Sequence, residues 1–365
     1  MKIKDIIEEY QDSFKEKYSD VLLPGQLNAL QSMLNCRTSE CGEMLLECPD
    51  CEHVELQAHS CGNRNCPQCQ NYESTKWIER QKSKLLPVKY FLVTFTVPYE
   101  LRWSAYCSQK VFFQALFKAA SEALKELAAN PRHLNGEIGM TGVLHTNNRR
   151  LDIHPHIHFI VPAGALNKKQ KFWKKKSGNF LLPAKPLVKL FKGKLLAILK
   201  EKNITFPAKV YSLNWVVDFK DAGSGEHAIE YLSRYLYKGV ISEKSIIKNE
   251  NGNVTFQYKN SRTKQMDART LPGEDFLMLI LHHVLPKGFR RTREYGFLHG
   301  RAKKTLNFLQ LILYVTIPDE HITERPVFKC PKCGHKMQIF LSHKKFKRSK
   351  DIDHRGRASP LQRIA

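Results

Sequence analysis

The sequence has no run of about 20 apolar residues, so no membrane-spanning helix is expected. Its first residues, MKIKDIIEEYQDSF, place acids where an export signal needs an apolar core, and a cytoplasmic protein is expected. No GxxxxGK loop followed by Ser or Thr is present, which argues against a nucleotide-driven helicase segment. No internal repeat marks a solenoid or array. Acids are scarce: 35 Asp and Glu stand against 59 Lys and Arg in 365 residues, a net charge of +24. Such an excess suits a polyanionic partner, most often nucleic acid. The apolar fraction of 42% is ordinary for a globular chain, which excludes global disorder, and the length suggests two or three domains.

A reducing compartment leaves ten cysteines in need of a role other than disulfides, and metal binding is the usual one. Seven of the ten fall between Cys36 and Cys69. Cys48-Pro-Asp-Cys51 and Cys66-Pro-Gln-Cys69, fourteen residues apart, are two CxxC knuckles. Four thiolates from such a pair suit a closed tetrahedral zinc site. Cys36, Cys41, His59 and Cys61 have the ligand types for a second zinc at irregular spacing, and His53 is a further, surface candidate. Cys330-Pro-Lys-Cys333 is a third knuckle, which needs partners such as His321, His335 or His343 or else is vestigial. Cys107 reads as core packing.

Residues 1–35 read as helical, 36–70 as the cysteine module and 71–86 as a basic helical linker. Tyr90-Phe-Leu-Val-Thr-Phe-Thr-Val97 is aromatic and β-branched and reads as a buried strand. A helix is expected over 105–128. Strands over 139–145 and 151–161 are expected to pair through the polar turn Asn147–Arg150. Further helices are expected over 185–202, 226–237 (with Gly239 as C-cap) and 275–283, and a strand over 210–219. The mixture predicts an α+β fold with a largely antiparallel sheet. The expected divisions are 1–75 for the N-terminal helices and zinc-binding module, 76–270 for the central domain, 271–345 for a basic region and 346–365 for a disordered tail.

The segment His154-Pro-His156-Ile157-His158-Phe159-Ile160-Val161 holds the most specific chemistry. Residues two apart in a strand share a face, so His156 and His158 present two imidazoles together while Ile157 faces the core. Two neutral imidazoles at that separation can share a divalent cation, and His154 has the same parity. A third ligand is needed, and the sequence does not identify it. Glu226 and His227 are weak candidates.

In the predicted helix EHAIEYLSRYLYK, Ala228, Ile229, Leu232 and Leu236 form the core stripe, with Tyr231 and Tyr235 one turn apart at its edge. Arg234 and Lys238 flank the pair, and Tyr237 points away to the surface. A tyrosine phenol can attack a phosphodiester and form a covalent phosphotyrosine.

These motifs together resemble the rolling-circle transposases of the HUH, two-tyrosine type in the insertion sequence ninety-one family. The likeness covers most of the chain. In order it takes in CRTSECGEMLLECPDCEHVELQAHSCGNRNCPQCQ, FLVTFTVPYELR, HPHIHFIVPAGAL, YLSRYLYKGVIS, HHVLPKGFRRTREYGFLHGR and CPKCGHKM. The resemblance implies an N-terminal zinc-binding domain followed by an HUH-endonuclease domain. It implies that His156 and His158 bind magnesium or manganese, and that Tyr231 or Tyr235 is the nucleophile. It further implies cleavage of single-stranded DNA at element ends and target, with a retained 5′-phosphotyrosine. Met44 stands where many relatives carry His, and Leu236-Tyr237-Lys238 replaces a Thr-His-Arg-like run.

For the DNA, candidate contacts are Arg234, Lys238, Lys287, Arg290, Arg291, Arg293 and Arg301, with Tyr295 and Phe297 interleaved among the later cations. Lysines around Phe172 and Trp173, and the tail from Lys344 to Arg357, are further basic segments. Competing readings are a rolling-circle replication initiator or relaxase with the same chemistry, a metal hydrolase using water, and a zinc-dependent DNA-binding regulator without catalysis. A homo-oligomer is compatible with the sequence, which does not decide it.

Overall fold

The computed structural model describes residues 1–178, 181–237, 239–315 and 327–344. The chain divides into two compact units, Met1–Leu34 with Gly62–Pro326, and Asn35–Cys61 with Val327–Ala365. The units interleave along the sequence, unlike the consecutive divisions at 75, 270 and 345. The reason is local pairing: strand Gln338–His343 lies antiparallel to Glu43–Glu47, which recruits the C-terminal segment to the cysteine module. Residues 346–365, expected to form a disordered tail, lie outside the described residues.

The first unit is built on a five-stranded antiparallel sheet. Its spatial order is Thr292–Tyr295, Met140–Asn147, Ile153–Pro162, Tyr90–Thr96, Val216–Asp221. Strand alternation divides its side chains cleanly. Phe91, Val93 and Phe95, with Ile157, Phe159 and Val161, face one core, covered by helices Gln109–Ala129 and Ala184–Glu201. Tyr90 and Leu92, with Val143 and Ile160, face the other side, where helices Asn71–Lys82 and Glu226–Tyr237 pack through Trp77, Ile229, Leu232 and Leu236. The expected basic linker is therefore a packed helix. The strand expected over 210–219 runs over Val216–Asp221 and follows a short 3-10 turn at Ala208–Tyr211.

Beside this core, strands Ile246–Glu250, Asn253–Lys259 and Met266–Pro272 form a second antiparallel sheet, with Asn253–Lys259 between the other two. Helix Ile3–Tyr18 meets helix Gly273–Leu281 there, and Tyr10 donates to Asn249 at 2.7 Å. A Cβ at Gly273 would stand 2.4 Å from the Tyr10 ring, so only glycine permits this crossing. Gly239 lies against Asn65 and Pro67, where a Cβ would stand 3.1 Å from the Asn65 carbonyl oxygen. Cys107, expected in the core, is exposed at the end of helix Arg102–Cys107. No helix among the described residues is long and apolar enough to cross a membrane.

The second unit is a three-stranded antiparallel sheet, with Glu43–Glu47 between Gln338–His343 and Val54–Ala58. Its core is small: Met44, Leu46, Cys48, Cys330 and Met337, with Phe328 against them.

Phe95 is fully buried and meets Phe159 and Phe191 edge-on, with ring centroids 5.8 and 4.9 Å apart. Phe95→Ala is expected to lower the stability of the first unit by about 3–5 kcal/mol, read from the denaturant midpoint at constant slope. A loss under about 1 kcal/mol would place the sheet's main packing elsewhere.

Candidate active site and cysteine centre

His156 and His158 lie on the face of the sheet opposite Ile157, as their parity requires. Strand register supplies the third imidazole. His145 is paired directly with His156, and one potential ligand atom from each of His145, His156 and His158 falls within 4.8 Å of the others. The sequence alone leaves this ligand unassigned, although the strand ending at His145 and the turn at 147–150 are both legible. Counting back across that turn would have brought His145 to the histidine strand. Glu226 and His227 lie elsewhere: Glu226 is 3.7 Å from Lys82, and His227 is fully exposed beside Glu230.

The outer nitrogens are held. Nδ1 of His156 faces the His154 carbonyl at 2.7 Å, which fixes the proton on Nδ1 and leaves the Nε2 lone pair open. Nδ1 of His158 is 2.7 Å from the Thr94 hydroxyl. Nε2 of His145 is buried with no hydrogen-bond partner. Three imidazoles with an orphaned buried nitrogen among them are a donor set that fits a divalent cation. His154 is not brought into the set. Arg102 donates to its Nδ1 at 2.5 Å, and it lines the groove beside the cluster.

Burial keeps these rings neutral. It lowers His158 to about 3, with His156 and Lys220 adding to the shift. It lowers His156 to about 4 against the opposing hydrogen bond to the His154 carbonyl. Burial and the two neighbouring imidazoles take His145 well below its ordinary value.

The tyrosine helix lies over this cluster. The Tyr235 ring stacks on His145, with centroids 3.8 Å apart and planes 26° apart. Tyr235 donates to the Tyr231 hydroxyl at 2.9 Å, and the Tyr231 ring meets His158 edge-on at 6.2 Å. Burial, then the bond to Tyr231, pushes the Tyr235 phenol far above its ordinary value. Tyr231 is exposed. Both tyrosines and the three histidines line one groove of about 520 Å³. Tyr237, expected at the surface, is half-buried and packs on Trp77 at 6.4 Å.

The expected DNA contacts separate. Arg234 is exposed beside the tyrosines and lines the adjoining pocket. Lys238 lies outside the described residues. Arg291 is a strut: its guanidinium donates to the carbonyls of Tyr235 and His283 and to Asn65, and burial with Arg64 nearby lowers it to about 10. It thus satisfies a carbonyl in the last turn of the tyrosine helix, a different role from the expected phosphate contact. Lys287, Arg290, Arg293 and Arg301 line a separate groove of about 1070 Å³, joined by Arg80, Lys84 and Lys110, which the sequence run does not reveal. Its acid, Glu294, is paired with Lys84. Trp173 packs on Phe297, and its indole is engaged there rather than offered for base stacking.

The cysteines regroup as well. The sulfurs of Cys48 and Cys51 gather with those of Cys330 and Cys333, all within 4.8 Å of one another. The expected set of Cys48 and Cys51 with Cys66 and Cys69 is therefore not the one that forms around the first knuckle. The reason is again the pairing of Gln338–His343 with Glu43–Glu47, which places the third knuckle beside the first. Cys66 and Cys69 are buried in the first unit. In the second unit Cys36 is buried, Cys61 is half-buried, the Cys41 sulfur lies 3.0 Å from the Asn35 carbonyl, and His59 meets Ser342 at 3.1 Å. His321 lies outside the described residues, and His335 pairs with Asp50 at 3.2 Å.

Two outcomes follow from the histidine cluster. Thr94→Val removes the hydroxyl that orients His158 and is expected to weaken Mn²⁺ binding about 10- to 100-fold, measured by calorimetry; unchanged affinity would rule out that role. The metal-free protein is expected to lose thermal stability as pH falls from about 6.5 toward 4. In that window the unfolded imidazoles take up protons that the buried ones, near 4 and 3, do not, so folding opposes protonation. A melting curve series with His156→Gln plus His158→Gln should show a shallower decline, and an identical decline would count against the assignment.

The chain matches the family model described as "Putative transposase" over residues 139–305, and that described as "Transposase zinc-binding domain" over residues 6–97. The putative transposase y4qJ of Sinorhizobium fredii is 31% identical, across 93% of this chain and 94% of that protein. The transposase for insertion sequence element IS801 of Pseudomonas savastanoi pv. phaseolicola is 28% identical, across 86% of this chain and 82% of that protein. Among solved structures, the conjugative relaxase TrwC in complex with mutant OriT DNA gives a TM-score of 0.27 at 11% identity, covering 41% of this chain and 68% of that one, too low to add weight. The near full-length match to these relatives and the two family models place the chain in the insertion sequence ninety-one family of transposases, with that family's zinc-binding domain.

Proposed function

We propose that this transposase nicks single-stranded DNA at the histidine groove and carries the strand as a 5′-phosphotyrosine ester before transferring it. The observation that carries the reading is the stacking of Tyr235 on His145, which sets a pair of phenols against a cluster of three neutral imidazoles in one groove. His145, His156 and His158 would hold a divalent ion, magnesium or manganese, which when bound polarises the scissile phosphate.

The chain's own groups supply the rest. A tyrosine oxygen attacks phosphorus and loses its proton. The bond from phosphorus to the 3′ oxygen breaks, and that oxygen leaves as a hydroxyl once protonated. Attack by another 3′-hydroxyl on the tyrosine ester restores the phenol and joins the new strand. One phosphodiester replaces another, so no external energy source is needed. Tyr231 is the first nucleophile in this reading. It is exposed, whereas the Tyr235 proton is engaged by Tyr231 and its ring lies flat on His145. Tyr235 is then the phenol held for the second attack. Arg291 fixes the end of the helix that bears both, and Arg234 stands beside them for a phosphate. The separate basic groove, with exposed Lys287, Arg290 and Arg301, suits the flanking DNA backbone.

Covalent trapping tests this. Protein, labelled single-stranded DNA bearing the element ends, and Mg²⁺ or Mn²⁺ should give an adduct that survives denaturation. Tyr231→Phe should deplete first-turnover adduct far more than Tyr235→Phe, and the double variant should abolish it while binding remains. An adduct persisting in the double variant sinks the tyrosine chemistry. Binding without any wild-type adduct would favour the non-catalytic regulator.

A further inference from the structure

The third cysteine knuckle takes no part in the nuclease reading, and the matched zinc-binding domain ends at residue 97, well before it. We propose that Cys48, Cys51, Cys330 and Cys333 form a tetrathiolate zinc site that fastens the C-terminal segment to the N-terminal cysteine module.

The sulfurs are already arranged for it. Cys48 and Cys333 are 3.4 Å apart, Cys51 and Cys330 are 3.6 Å apart, and all four lie within 4.8 Å of one another. A tetrahedron with zinc–sulfur bonds of about 2.3 Å has edges of about 3.8 Å, inside that range. Four thiols at this separation with no cation to share would, when ionised, repel one another, so the cluster makes chemical sense as a metal site.

The two knuckles are also the same structure built twice. Their sequences are Cys48-Pro-Asp-Cys51-Glu-His53 and Cys330-Pro-Lys-Cys333-Gly-His335. In the first, Cys48 N donates to the His53 carbonyl at 2.9 Å, and Glu52 N donates to the Cys48 carbonyl at 3.0 Å. In the second, Cys330 N donates to the His335 carbonyl at 2.8 Å, and Gly334 N donates to the Cys330 carbonyl at 2.9 Å. Glu52 and Gly334, each just after the second cysteine, both have positive φ, 54° and 78°. The amide of Lys332 also points at the Cys330 sulfur at 3.4 Å, a donor suited to a ligating thiolate. The histidines thus contribute backbone to the turn, and the four sulfurs close the site without them.

Packing shows what the metal does for the fold. Every residue of strand Gln338–His343 is exposed, including Ile339, Phe340 and Leu341. The strand buries no face of its own, and a core as small as this unit's is the kind that needs a staple. The zinc site supplies that staple at the strand's entrance.

The test uses the full-length protein purified with zinc. Cys330→Ser plus Cys333→Ser should carry one zinc fewer per chain than wild type by elemental analysis, while Cys107→Ser keeps the wild-type content. Cobalt-loaded wild type should show stronger sulfur-to-metal charge transfer than the double variant, and hydrogen exchange over 338–343 should accelerate in that variant. Unchanged metal content in the variant overturns the proposal. Wild-type protein gives a readout free of folding defects: Cys48, Cys51, Cys330 and Cys333 should resist alkylation together and become reactive together on chelation. Alkylation of Cys330 and Cys333 in the zinc-loaded protein would also overturn it. None of these readouts depends on the tyrosine chemistry.

Discussion

The two-residue period of the central sheet is the constraint from which the site follows. Each of its inner strands gives one face to aromatic core and the other to chemistry. Phe95, Ile157 and Leu144 go one way; Thr94, His158 and His145 go the other. A slip of one residue in Ile153–Pro162 would put an imidazole into the phenylalanine core and Phe159 toward the groove. The core therefore guards the register, and the register assembles the histidines. Phe159 and Phe95, far from being passive filler, hold the alignment on which the histidine cluster depends.

The same burial has an electrostatic return. Desolvation keeps the three rings unprotonated, the form a cation needs, and the second hydrogen bonds, between His158 and Thr94 and from His156 to the His154 carbonyl, choose which nitrogens face inward. The cost is a buried, unsatisfied nitrogen on His145 and a partly desolvated Arg291 tied to backbone oxygens. Both lie where the tyrosine helix meets the sheet. Departures of this kind from full polar satisfaction cluster at functional sites.

What the sequence made legible depended on distance along the chain. His156 and His158 sit in one strand and Tyr231 and Tyr235 in one helix, so periodicity alone placed each pair on a common face. His145 needed pairing across a turn. The first knuckle's partner needed contact across some 280 residues, which no local spacing encodes, and proximity in sequence pointed to Cys66 and Cys69 instead. Charge runs were the least faithful guide. Arg290 and Arg291 are neighbours, yet one is exposed in a groove and the other serves as an internal brace. Cys107 reads as core packing at the start of a helix, whereas it ends helix Arg102–Cys107 and is exposed there.

The pairing of Cys48 with Cys333 has a consequence for how the protein is made. The first knuckle leaves the ribosome some 280 residues ahead of its complement. The nascent chain carries the first pair of cysteines alone while the intervening residues of the first unit emerge, and the four sulfurs can gather only once Cys333 is out. Any product that stops short of residue 330 keeps the histidine strand and the tyrosine helix and lacks the second pair of cysteines.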